Sequence, residues 1–72
     1  MPTPELSEYQ CFWIVAKNVV SQVFDSTELE AAIAEYQFRR EHEESAPRFL
    51  GEQADESLHD LTDSVFSPNQ GR

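Results

Sequence analysis

Two histidines, one cysteine and fourteen carboxylates are the residues of this chain with the capacity for chemistry. His42 stands among Glu41, Glu43 and Glu44, and His59 among Asp55, Asp60 and Asp63. Imidazole and carboxylate converging on one point are what a divalent cation or an acid–base pair requires. On a helix, Asp55 and His59 would share a face four residues apart, which gives two ligands and no third from a fixed neighbour. A solvated imidazole in an acidic helix is the favoured reading of both, and no metal or cofactor is expected. Cys11 would need a base and an electropositive surround to become a thiolate nucleophile. Its neighbours Tyr9, Phe12 and Trp13, in an acidic protein, make it a core thiol instead. Gly51 and Gly71 are the only glycines, which excludes a glycine-rich phosphate loop. Nothing here predicts an enzyme.

The charge balance narrows the partners. The net charge is -9 over 72 residues, and twelve of the fourteen acids fall between Asp25 and Asp63. Nucleic acid and anionic membrane are bound through clustered Lys and Arg, so direct binding to either is not expected. A basic protein surface is the natural partner, with electrostatic steering of the encounter. The single cysteine argues against a disulfide-stapled secreted scaffold. The acidic, proline-containing start lacks the pattern of a signal peptide. Cys11 to Ala16 is too short an apolar run to span a bilayer. A soluble, cytoplasmic protein is the expectation. A chain of this length buries only about 60% of its unfolded surface, a thin margin that a homodimer or a bound partner could widen.

Elements that would position these residues follow from local signals. Residues 1–7 read as a flexible leader, 8–66 as one small domain and 67–72 as a disordered tail. Tyr9 to Phe24 carries four aromatics and five β-branched apolar residues, and reads as a hairpin turning at Lys17-Asn18. The same stretch also fits a helix with the stripe Leu6, Tyr9, Trp13, Ala16, Val20 and Val23. Poor helix formers speak against the helix. A missing turn glycine, and a first strand apolar on both faces as in a buried central strand, speak against a simple hairpin.

Asp25-Ser26-Thr27-Glu28 provides capping side chains, and Leu29 to Ala34 strong helix formers, so a helix is predicted over 27–44. Its inward stripe would be Leu29, Ala32, Ile33 and Tyr36, with Glu35 and Arg39 as an i,i+4 pair. Pro47 and Gly51 mark Ser45 to Gly51 as a connector. A last helix over 52–66 would carry Ala54, Leu58, Leu61 and Val65 at spacings of four, three and four.

The predicted fold is therefore α+β, a β-hairpin followed by two helices in the order ββαα. The alternative is an all-α helical hairpin with a third helix, paired as a dimer. In function, a non-catalytic protein-binding protein is expected, engaging a basic surface of a larger protein. Glu41, Glu43, Glu44, Asp55, Glu56, Asp60 and Asp63 would supply the charge, and Trp13 and Tyr36 the aromatic anchors. In size and charge the chain resembles the inhibitors that bacteriophages and mobile elements encode, including mimics of nucleic-acid charge. The other class of reading is a structural accessory subunit or adaptor held by apolar contacts.

Overall fold

The computed structural model describes residues 6–43 and 45–66. The fold is α+β. Four strands, β1 (Cys11–Ala16), β2 (Val19–Asp25), β3 (Arg48–Glu52) and β4 (Leu58–Asp60), form one antiparallel sheet in the order β2-β1-β3-β4. Helix α1 (Leu29–His42) packs on one face, and a short helix α2 (Thr62–Phe66) follows β4. The leader and tail expectations fall mostly on residues outside those described. Leu6–Glu8 forms a 3-10 turn and Leu6 packs against the core, so the ordered body already includes Leu6.

The hairpin forms as its residues predict. Lys17 and Asn18 both take positive φ, 58° and 64°, the sign that a two-residue type I′ turn demands at both central positions. The missing glycine is tolerated because Asn accepts this region at low cost. The two-sided apolarity of β1 also finds its cause: β1 is a central strand, flanked by β2 and β3. Phe12, Ile14 and Ala16 point into the core while Cys11, Trp13 and Val15 point to the other face.

Helix α1 starts after a 3-10 turn over Ser26–Glu28. Glu28 Oε1 accepts from the Asp25 N–H at 3.4 Å, half of a capping box. Ala32 and Tyr36 are fully buried, with Leu29 and Ile33 packed beside them, so the expected inward stripe is the observed one. Arg39 pairs with Glu35 at 3.1 Å and with Glu43 at 2.9 Å, one turn away on either side.

The second half corrects the prediction. There is no long helix over 52–66, and the connector Ser45 to Gly51 contains a strand. Phe49 alternates with Arg48 and Leu50, and its fully buried ring stacks on Phe12 at 5.4 Å. Gly51 is a close-approach site rather than a breaker, for a Cβ there would lie 2.8 Å from Leu61 Cδ1 and 2.9 Å from Tyr9 Cδ2. The chain then reverses through Gln53–Ser57. Asp55 Oδ1 accepts from the Ser57 N–H at 2.9 Å, Glu56 N–H donates to Gln53 O at 2.8 Å, and Glu56 takes φ 70°. Those local bonds compete with a helix. The four-three-four spacing thus crosses a turn, a strand and α2, and of its members only Leu61 is fully in the core.

The core is one cluster on the helix side: Tyr9, Phe12, Ile14, Phe24, Ala32, Tyr36, Phe49 and Leu61. Each large side chain buried there contributes on the order of 1.5–3 kcal/mol.

Candidate protein-binding surface

The face of the sheet turned away from α1 is built by cross-strand register. Trp13 sits between Val23 and Leu50, Val15 between Val20 and Arg48, and Cys11 between Asp25 and Glu52. On β4, Asp60 lies beside Leu50 and Leu58 beside Glu52. Partners in an antiparallel ladder share a face, so these side chains form one surface, apolar at its centre. Leu29, Ala32, Ile33 and Tyr36 of α1 and Val65 of α2 pack on the opposite face. Among the described residues nothing lies over this one. Val20, Val23 and Leu58 are 51%, 53% and 60% exposed, and Trp13, Val15 and Leu50 are half-buried.

Among the described residues, one end of the sheet carries carboxylates alone and the other carries both signs of charge. Around the start of β1 the topology gathers Glu8, Asp25, Glu28, Glu30, Glu52, Asp55 and Glu56. Two backbone bonds hold these segments together: Ser26 N–H donates to Gln10 O at 3.0 Å and Gln10 N–H to Glu52 O at 2.9 Å. Among the described residues no Lys or Arg lies at that end. Lys17, Arg39, Arg40 and Arg48 all lie toward the turn end, where α1 finishes. Arg48 pairs with Asp60 across the edge of the open face.

The predicted carboxylates therefore do not make one surface. Glu41 and Glu43 lie at the end of α1, and Asp60 and Asp63 near Arg48, whereas Asp55 and Glu56 sit at the far end. Glu43 is taken by Arg39 and Asp60 by Arg48. Glu44 lies outside the described residues. Burial raises the Asp60 carboxyl, but bonds from the Thr62 hydroxyl and N–H, with Arg48 beside it, leave it below the usual carboxylate range.

Of the aromatic anchors, Trp13 is on the open face and Tyr36 is not available. Its side chain is fully buried against Phe49, ring centroids 5.5 Å apart, and burial raises its phenol above the ordinary value. What the sequence reading missed is the rest of the face, Val20, Val23, Leu50 and Leu58. The signal was present in β1, whose two-sided apolarity requires something on both sides.

The histidines and Cys11 are placed without a shared centre. His42 stacks on Phe38 at 4.1 Å, and its Nδ1 is 2.8 Å from Phe38 O. Ser21 and Glu43 border the same shallow depression as His42. Glu43 is directed to Arg39, however, so it does not orient the imidazole. His59 lies in β4, edge-on to Tyr9 at 5.4 Å, and does not share a helix face with Asp55. Cys11 is half-buried on the open sheet face rather than in the core. Among the described residues no group of three or more His, Cys, Asp or Glu is placed to hold a metal ion, and no helix is long and apolar enough to cross a membrane.

These features define a small α+β domain with one face of its antiparallel sheet covered by helix and the other open. Comparison with protein families, curated proteins and solved structures finds no match to this chain.

Proposed function

We infer that this chain is a non-catalytic protein-binding domain whose open sheet face docks onto a larger protein carrying an apolar patch beside basic residues. The observation that carries this reading is the uncovered apolar face centred on Trp13, bordered at one end by carboxylates with no Lys or Arg beside them among the described residues. A sheet face in water is normally polar; an apolar one with a charged rim has the anatomy of an interface. Trp13 and Leu50 would anchor the contact, and Asp25, Glu52, Asp55 and Glu56 would steer a basic partner toward it.

The test is photo-crosslinking in cells from a reactive residue placed at Trp13 or Leu50, against Ala34 on the outer side of α1 as control. Adducts from the sheet positions and none from Ala34 support the reading. Adducts only from Ala34 refute it. With the captured partner, Trp13→Ala is expected to weaken binding by roughly thirtyfold, the size of a hot-spot truncation. Added salt should slow association and leave dissociation nearly unchanged. The accessory-subunit reading shares the Trp13 dependence but predicts association rates indifferent to salt.

A further inference from the structure

We propose that the free edge of β2 pairs with the same edge of a second copy, joining two sheets into one antiparallel eight-stranded sheet. The two edges of the sheet differ sharply. At one edge, β4 is three residues long and carries His59 and Asp60. At the other, β2 is seven residues long and has no charged residue and no proline from Asn18 to Phe24. Short length, charge and proline are usual protections of an edge; β2 is long, has no proline and carries its single charge, Asp25, only at its last position. Among the described residues nothing covers it.

The backbone alternation identifies which groups face outward. Ser26 N–H donates to Gln10 O across the β1–β2 seam, so within β1 positions 12 and 14 bond toward β2 while 11, 13 and 15 turn toward β3. The β2 residues opposite those odd positions are Asp25, Val23 and Val20, and they turn their N–H and C=O away from the sheet. Val20 and Val23 are thus a matched pair of outward donors and acceptors.

A two-fold axis between Ser21 and Gln22 sets Val23 of one copy opposite Val20 of the other. It then sets Phe24 opposite Val19, and Asp25 opposite Asn18 with Lys17 next to it. In a regular strand, an odd and an even position point to opposite faces and this register would fail. Here the bulge between Ile14 and Val15 inserts one residue into β2, so Val20 and Val23 both lie on the open face. Val19, beside Phe24 in the proposed pairing, is the most exposed large apolar residue described, at 63%.

Charge selects a second copy as the occupant. From Lys17 to Asp25 the two charges have opposite sign and stand at opposite ends, so the two-fold brings each Lys17 toward the partner copy's Asp25. On the larger scale it lays the acidic end of one copy beside the turn end of the other, where Lys17, Arg39, Arg40 and Arg48 stand among Glu41, Glu43, Asp60 and Asp63. Edge pairing buries little area, so an association in the range of tens to hundreds of micromolar is the expectation.

The experiment is sedimentation equilibrium up to ~1 mM protein, with amide hydrogen exchange of the same samples. Wild type is expected to approach twice its 8.3-kDa mass, with protection at the Val20 and Val23 amides rising together with concentration. The Phe24 amide, bonded to β1, should be protected throughout. Val23→Lys, which sets a lysine on the edge, should weaken association at least tenfold while the circular dichroism of the fold persists. A monomer at every concentration overturns the proposal. So does a dimer whose Val20 and Val23 amides exchange at the monomer rate, a result read on wild type and therefore independent of how Val23→Lys folds.

Discussion

Gly51→Ala tests whether the packing of Tyr9 and Leu61 around β3 sets the stability of this domain. The added Cβ would meet Leu61 Cδ1 at 2.8 Å, Tyr9 Cδ2 at 2.9 Å and Tyr9 Cγ at 3.0 Å, all inside normal contact. None of these atoms belongs to a loose surface chain. Tyr9 is 5% exposed, with its ring tilted against Phe12 at 6.1 Å and edge-on to His59 at 5.4 Å; Leu61 is 3% exposed. Forcing one methyl into such a site costs about 1–3 kcal/mol. Replacing glycine in a strand returns about 0.5–1 kcal/mol through the unfolded chain. At the middle of both ranges the balance is a loss of about 1 kcal/mol. With a urea slope near 1 kcal/mol/M for a chain this small, the unfolding midpoint should fall by about 1 M. Urea denaturation followed by Trp13 fluorescence measures it. The double substitution with Leu61→Ala should cost less than the sum of the singles, because it removes one of the clashing atoms. A midpoint that stays or rises would refute the packing argument and restore Gly51 to the role of a simple chain breaker.

Asn18→Gly should stabilise the hairpin by up to about 1 kcal/mol, since φ 64° at the second turn position suits glycine best; thermal unfolding would show it. Arg39→Ala removes two i,i+4 pairs at the end of α1 and should cost less than about 1 kcal/mol, shrinking further in high salt, which denaturation at two ionic strengths resolves. The Asp60 carboxyl is held below its unfolded value, so its contribution is present above the unfolded pKa and disappears as pH falls through the folded one. Asp60→Asn should accordingly flatten the loss of stability below about pH 4, as read by unfolding midpoints across an acid series.

How much of this was legible in the sequence depends on how local its causes are. The hairpin depends on Lys17, Asn18 and the β-branched residues beside them, and α1 on a cap and strong formers within ten residues, so both can be read directly. Strand β3 is different. Arg48–Glu52 is a strand because β1, more than thirty residues earlier, offers it an edge, and Phe49 is buried because Phe12 and Tyr36 receive it. Read alone, Pro47 and Gly51 look like punctuation. Strand β4, at three residues, is too short to show a period, so the spacing of Ala54, Leu58, Leu61 and Val65 took its place. The carboxylates misled for the same reason. Carboxylates that looked like one set along the chain are split in space, Glu41 and Glu43 at the end of α1 and Asp55 and Glu56 at the other end of the sheet, while Glu8, Asp25, Glu52 and Asp55 are brought to one end by strand order alone.

That polarity needs separating from function, because part of it is what the helix itself demands. Glu28 and Glu30 stand at the positive start of α1, and Arg39, Arg40 and His42 in its last turn, as the helix dipole favours. These charges would be selected for stability in a domain that bound nothing. Glu52 has no such role: its backbone C=O accepts from Gln10, but its side chain points to the open face between Cys11 and Leu58. Glu52→Lys should therefore leave stability within about 0.5 kcal/mol, whereas Glu28→Lys, which loses the bond to the Asp25 N–H, should cost about 1 kcal/mol. If the acidic end steers a basic partner, Glu52→Lys must slow association in stopped-flow measurements at low salt, and the difference from wild type must vanish as salt is added. Equal association rates for the two proteins would mean that the acids serve the helix and solubility alone, leaving the apolar face around Trp13 as the whole of the binding surface.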